Sequence, residues 1–186
     1  MTNRVSWGIL GNATIARKCV IGAIQKSRNG RVHALATRSP ADAAEVVAKN
    51  GIRTVYDSYG AVLADPAVDA VYIPLPNHMH LPWTLKALSA GKHVLCEKPL
   101  ACNARDARAM ADQAAACGKL LMEAFMYRFH PRSRRIKQIV DEGGIGSPCL
   151  IRAAFCFHLD DAVLKSGGNI RLRPEMGGGA LMDVGC

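Results

Sequence analysis

The sequence predicts an α/β fold: a Rossmann-type, doubly wound parallel sheet, followed by the beginning of a second domain. Three observations predict it. Short apolar runs bounded by turn residues alternate with helical patterns from residue 5 to residue 124. The first run passes straight into a glycine turn and a helix, Gly11 to Arg17. The fifth run, Val94-Leu95-Cys96, ends in Glu97-Lys98-Pro99. An acid and a base thus stand at the carboxyl end of a strand, where open α/β sheets bind ligands.

The first strand covers 5–10. Gly11 permits the tight turn after it, and Ile15, Cys19 and Ala23 fall on one face of the next helix. The free N–H groups and positive dipole end of such a helix suit a pyrophosphate. Ala13 and Ala16 stand where the dinucleotide fingerprint carries its second and third glycines. Ala16 still allows close packing; Ala13 adds a methyl where backbone approaches phosphate. The second strand, 31–37, ends in Thr37-Arg38-Ser39. Enzymes using NAD usually place a carboxylate there for the ribose 2′-hydroxyl. A carboxylate repels a 2′-phosphate, whereas arginine and a hydroxyl bind it. The reading is therefore NADP in preference to NAD. Ser39 is also placed to cap the helix that Pro40 opens.

That helix covers 41–49 and ends at Asn50-Gly51. A strand at 54–56 and a helix at 58–64 follow. The fourth strand, 70–73, enters the rigid loop Pro74-Leu75-Pro76-Asn77-His78-Met79-His80. Leu75 and Pro76 offer an apolar wall to a flat ring. Asn77 suits a helix cap as well as a ligand contact. His78 and His80 lack a third ligand at sensible spacing, so no metal site is read. A helix covers 81–90, ended by Gly91. Pro99 fixes its own φ and restricts Lys98 to extended backbone. The plainer reading of Glu97-Lys98 is a surface salt bridge at a strand end. Asn103 and Asp106 open a helix that runs to Cys117, and a sixth strand covers 120–124.

The pattern then changes, which divides the chain into a nucleotide-binding domain at 1–124 and the start of a second domain at 125–186. An aromatic crossing segment covers 125–131, and a helix follows Pro131 to residue 142. Residues 149–157 alternate and read as the first strand of a second sheet. Residues 160–173 are polar and loop-like. Gly177-Gly178-Gly179 leads to Asp183 in what reads as a helix opening.

Composition narrows the function classes. The net charge of +9 raises nucleic acid or an anionic ligand as partners. The densest basic run, 132–137, has no aromatic interleaving and reads as a solvated helix face, so no nucleic-acid partner is expected. The seven cysteines are odd in number, without the two-residue spacing of a redox or zinc motif, and read as reduced core thiols. No run of about 18 apolar residues marks a membrane span. The start shows no signal-peptide core, so a cytoplasmic protein is expected.

Taken together, Gly8 to Ala16, the loop Pro74 to His80, Glu97-Lys98-Pro99, and Gly177-Gly178-Gly179 with Asp183 resemble the glucose–fructose oxidoreductase / inositol dehydrogenase (Gfo/Idh/MocA) family. The resemblance is strongest to its NADP-dependent dihydrodiol and D-xylose dehydrogenase branch. It implies hydride transfer between a nicotinamide and a hydroxyl-bearing carbon of a sugar, cyclic polyol or dihydrodiol. It implies cofactor contacts from Gly11, Asn12, Ala13, Thr14 and Ile15, from Arg38 and Ser39, and from Leu75, Pro76, Asn77 and His80. Glu97, Lys98 and Arg128 complete that set, and Lys98 and Asp183 are the implied catalytic residues. A cis peptide before Pro99 and a homo-oligomeric full-length form go with the family. Its tyrosine or histidine acid-base falls one helical turn after Asp183, just beyond Cys186. The resemblance also implies that 125–186 is the start of an α+β substrate and dimerisation domain with an open, mainly antiparallel sheet, cut short, in a chain that binds cofactor without a complete active site. An NADP-binding sensor or repressor without turnover is the other reading.

Overall fold

A computed structural model of the chain describes residues 4–165 and 168–186. Six parallel strands form one sheet: β1 (Val5–Leu10), β2 (Gly30–Ala36), β3 (Thr54–Tyr56), β4 (Ala70–Ile73), β5 (His93–Cys96) and β6 (Leu121–Glu123). Their order is β3-β2-β1-β4-β5-β6. The chain winds outward from β1 to β3, returns to β4 beside β1, and winds outward again. The strand order therefore reverses between β1 and β4, and a crevice opens there at the carboxyl ends. The helices are α1 (Ile21–Lys26), α2 (Pro40–Asn50), α3 (Tyr59–Ala64), α4 (His80–Ser89), α5 (Ala104–Ala116), α6 (Pro131–Asp141) and α7 (Asp161–Lys165).

The central strands are apolar throughout because both faces are covered. Leu35, Ile9, Tyr72 and Leu95 form one row across the sheet and pack under α1 and α2 with Ile21, Ala43 and Val46. Leu10, Ile73 and Cys96 face the other way and pack with Leu88 and Met110. Each fully buried Ile or Leu contributes about 1.5–3 kcal/mol. The register of β1 against β2 shifts between Trp7 and Gly8. A Cβ on Gly8 would lie 2.4 Å from Val62 Cγ1, so α3 packs flat on β1 only over a glycine.

The first helix departs from its sequence pattern. It opens with a π-type turn, Ala16–Val20, and passes into α1. The extra residue in that turn rotates the following face. Ala16, Ile21 and Ile24 are buried, while Cys19 and Ala23 are exposed. The expectation of core thiols fails here and elsewhere. All seven cysteines are free, but only Cys96 is buried. Burial pushes its thiol up to about 12. The Ser39 hydroxyl does not cap α2; the Ser39 N–H instead donates to Thr37 Oγ1 at 3.1 Å. The Asn103 cap forms, accepting the Asp106 N–H at 2.9 Å.

Beyond β6, residues 149–157 form no strand. Their alternation supplies β-propensity, but a strand needs a ladder partner for its N–H and C=O groups. None stands beside them among the described residues, and Leu150 and Ile151 are 71% and 84% exposed. The second sheet is therefore absent among the described residues. The stretch expected to be a loop carries α7 and a 3-10 turn, Ile170–Leu172; residues 166 and 167 of it lie outside the described residues, as do residues 1–3. The expected helix opening is a single π-type turn, Leu181–Gly185. The basic run lies exposed on α6, with Lys137 paired to Asp141 at 2.7 Å. No described helix is long and apolar enough to cross a membrane.

Two outcomes are expected. Gly8→Ala should cost roughly 1–3 kcal/mol in denaturant unfolding, because Val62 sits in close packing and cannot withdraw freely. Asp65, at the end of α3, accepts bonds from the Ala67 N–H, the Tyr56 hydroxyl and His33. Burial pushes its carboxyl up, but these three partners outweigh it and hold it below its usual range. A depressed folded-state pKa contributes stability above the unfolded-state value of about 3.9, lost as pH falls through the folded value. Asp65→Asn should therefore destabilise the chain at pH 7 and flatten its acid-unfolding curve below about pH 4, read by circular dichroism.

Candidate functional site

The crevice at the strand ends holds two cavities that meet at Ala13, Pro74 and Leu75. The first, about 540 Å³, lies over the turn after β1. Gly11 takes a φ of 114°, which only glycine adopts without strain, and its N–H donates to Ala36 O at 2.9 Å. This holds the turn tight against β2. Asn12 donates to the Asp42 carbonyl at 3.1 Å, while its Oδ1 is buried without a described partner. Arg38 and Ser39 enter the same cavity from the end of β2, and Pro76 closes it from the end of β4. The Ser39 hydroxyl has no bonding partner among the described residues. Arg17 reaches the cavity too, donating to Thr14 Oγ1 at 3.3 Å. The sequence reading passed over Arg17, although a basic residue in the first turn after a glycine turn is a usable signal.

The second cavity, about 590 Å³, lies at the ends of β4 and β5. Thr14, Ile15, Leu75, Asn77, Glu97 and Lys98 line it from the sheet side, and Asp183 from the segment after α7. The Lys98–Pro99 peptide is cis. Lys98 Nζ donates to the backbone carbonyl of Asp183 and to its Oδ1, the latter at 3.0 Å. Arg171 Nε donates to Asp183 Oδ2 at 2.7 Å. Burial alone pushes the Asp183 carboxyl up, but Lys98 and Arg171 outweigh it and hold the group below the usual carboxylate range. Asp183 is thus a fixed anion between two cations. Glu97 is engaged differently: Tyr72 donates to its Oε1 at 2.6 Å, and the Lys98 N–H to its Oε2 at 3.2 Å. The sequence reading missed Arg171, which sits in a stretch with no local pattern and gains meaning only from its contact with Asp183.

Two residues expected at the cofactor line neither cavity. His80 is fully buried, with Nδ1 2.7 Å from Pro99 O and Nε2 2.8 Å from Leu75 O. The 3-10 turn Asn77–Met79 passes directly into α4 and swings His80 inward. Burial lowers its pKa, against the pull of the two carbonyls. It is a strut between the loops after β4 and β5 and lines neither cavity. Arg128 lies exposed on the 3-10 turn Met126–Phe129 and also lines neither. Asn77 caps no helix; it donates to Gly177 O at 2.7 Å and so ties the glycine-rich segment to the crevice. A Cβ on Gly177 would lie 2.7 Å from Cys102 Sγ and 2.9 Å from Asn77 Cβ, and its φ is 75°. Glycine there lets the 170–185 segment dock and brings Asp183 to Lys98. No group of three His, Cys, Asp or Glu side chains suited to a metal occurs among the described residues.

A parallel sheet with a glycine turn at its switch point, and an acid-base sequence beside that turn, defines a protein of the dinucleotide-binding Rossmann class. Comparison with known proteins agrees. Residues 5–125 match the Gfo/Idh/MocA oxidoreductase family, described by its NAD-binding Rossmann fold, and residues 133–186 match the Gfo/Idh/MocA C-terminal domain. The chain belongs to the Gfo/Idh/MocA oxidoreductase family. It is 45% identical over 180 residues to D-xylose 1-dehydrogenase (NADP(+)) 2 of Haloferax volcanii, covering 97% of this chain and 54% of the relative. It is 35% identical to trans-1,2-dihydrobenzene-1,2-diol dehydrogenase of Mus musculus, covering 96% and 52%. A 3-ketoreductase from Actinomadura kijaniata, crystallised with TDP-benzene and NADP, superposes with a TM-score of 0.72 at 38% identity, covering 76% of this chain and 44% of that one. The chain spans about half the length of the curated relatives it matches.

Gly177→Ala is expected to undock the 170–185 segment. Limited trypsin digestion should then cut faster after Arg171, the basic residue of that segment not followed by proline, while the far-ultraviolet dichroism of the sheet and helices persists.

Proposed function

We propose that this chain carries the cofactor-binding part of an NADP-dependent dehydrogenase acting on the CH–OH group of a sugar, cyclic polyol or dihydrodiol. Residues 1–124 serve as the nucleotide-binding domain and 125–186 as the beginning of the substrate domain. The observation that supports this best is the Lys98–Asp183 ion pair in the cavity that adjoins the Gly11 turn. A sensor that binds NADP without turnover has no need of that pair.

The residues fit the cofactor. The buried, unpartnered Asn12 Oδ1 and the turn at Gly11 and Ala13 suit a ribose and pyrophosphate. Arg38 and the Ser39 hydroxyl suit the 2′-phosphate. Leu75 and Pro76 supply apolar walls, and Thr14, Ile15, Asn77, Glu97 and Lys98 surround the other end of the crevice. Bound there, the nicotinamide supplies a hydride acceptor or donor. The chain's own part is orientation and the movement of a proton. Lys98 Nζ, held by Asp183, is placed to exchange a proton with a substrate hydroxyl. Arg171 keeps Asp183 ionised, so Asp183 orients Lys98 without taking its proton.

Titration of the purified chain with NADPH and with NADH, followed by nucleotide fluorescence, tests this reading. NADPH should bind more tightly. Arg38→Asp should weaken NADPH by about tenfold or more and leave NADH little changed, since it removes one charge-assisted contact and adds a repulsive charge. No NADPH binding by the folded chain, or selectivity unaltered by Arg38→Asp, would refute the assignment.

A further inference from the structure

Tyr72 is fully buried on β4, level with Ile9 on β1 and Leu95 on β5. It belongs to the buried cluster that holds Ile9, Ile21 and Leu35, a setting that an apolar side chain would satisfy. A hydroxyl buried there without a partner costs free energy. Its described hydrogen bond goes to Glu97 Oε1, at 2.6 Å, which is short and charge-assisted. Burial, then the neighbouring Glu97 charge, push the Tyr72 phenol above its ordinary value, so it remains a donor across the working range.

Glu97 follows Leu95 by two residues and therefore leaves β5 on the same face as Tyr72. Its Oε2 accepts the Lys98 N–H at 3.2 Å, so both carboxylate oxygens are engaged, one by the sheet and one by the turn after β5. Lys98 Nζ makes no ion pair with Glu97 among the described residues; it bonds Asp183 Oδ1 at 3.0 Å. A loose carboxylate in the same cavity would compete for that ammonium.

We infer that Tyr72 is a positioning residue of this site: its hydroxyl holds the Glu97 carboxylate to the sheet and so reserves Lys98 for Asp183. This rests on reading the second cavity as the nicotinamide end of an NADP crevice. Tyr72 touches neither cavity and acts only through Glu97. It sits at the other end of the crevice from Arg38, so its influence falls on NADPH and NADH alike.

The test is a double-mutant cycle with Tyr72→Phe, which keeps the buried ring, and Glu97→Met, which removes the acceptor and keeps the length. Without nucleotide, Tyr72→Phe should lower the melting temperature by roughly 3–8 °C, the scale of a hydrogen bond to a charged group in a chain of this size. In the Glu97→Met background the same change should be neutral or stabilising, because it then removes an unpartnered buried hydroxyl. With nucleotide, Tyr72→Phe should weaken NADPH and NADH equally, by about 3–10-fold, and the effect should vanish on Glu97→Met. A destabilisation of the same size in both backgrounds, or an affinity loss that survives Glu97→Met, overturns the inference. If the wild-type chain binds no NADPH, the functional reading fails and the melting cycle alone decides the inference about Tyr72.

Discussion

β4 pairs with β1 on one side and β5 on the other, and both ladders are covered on both faces. Every feature of the crevice depends on that double pairing. It fixes the point where the strand order reverses. It carries the ladder past the end of β5, where the Glu97 N–H donates to Ile73 O at 3.1 Å. It sets the loops after β1, β4 and β5 at one level, so that the Gly11 turn, the Leu75–Pro76 wall and Lys98 open onto one crevice. His80 then braces two of those loops through the Leu75 and Pro99 carbonyls. A strut made of a buried ring leaves little freedom to the Glu97-Lys98-Pro99 turn.

On that frame the charges are sorted. Four acidic or basic groups, Glu97, Lys98, Arg171 and Asp183, share one cavity. Unsorted, the lysine could pair with either carboxylate. Tyr72 on the sheet and the Lys98 N–H in the turn after β5 take Glu97, and the docked 170–185 segment brings Asp183 to Lys98. Arg171 supplies a second cation to Asp183 and keeps it an anion. At the opposite end, Arg17, Arg38 and the Ser39 hydroxyl make a cationic pocket, with Asp42 as the one acidic residue lining it. A crevice with a cationic pocket at one end and a held ammonium at the other suits a phosphorylated dinucleotide and a hydroxyl-bearing carbon.

Much of this was legible in the sequence, for a physical reason. Strands buried on both faces read as continuous apolar runs, so the alternation of strand and helix through residue 124 showed plainly. Gly11 and Glu97-Lys98-Pro99 were visible because turn chemistry and strand ends are local. What failed was non-local. Residues 149–157 carry a strand's alternation, but a strand exists only beside a partner. Cys19 left its expected face because a π-type turn adds a residue to the helix. His80 read as a polar loop residue until the turn before α4 aimed it inward. Arg171 belonged to no pattern until Gly177 docked the segment that carries it. Asn77 suited a helix cap, but it caps none: its amide holds Gly177 while it lines the second cavity.

Lys98 is held by Asp183 in the crevice, and its amine reactivity measures that hold directly. Brief acylation with a water-soluble reagent, quantified for each lysine by mass spectrometry, compares Lys98 with the exposed Lys18 in the wild-type chain and in Asp183→Asn. The structure predicts slow modification of Lys98 relative to Lys18, with the difference largely lost in the variant. Modification of Lys98 as fast as Lys18 in the wild-type chain, unchanged by Asp183→Asn, would contradict the ion pair and the proton-transfer role built on it.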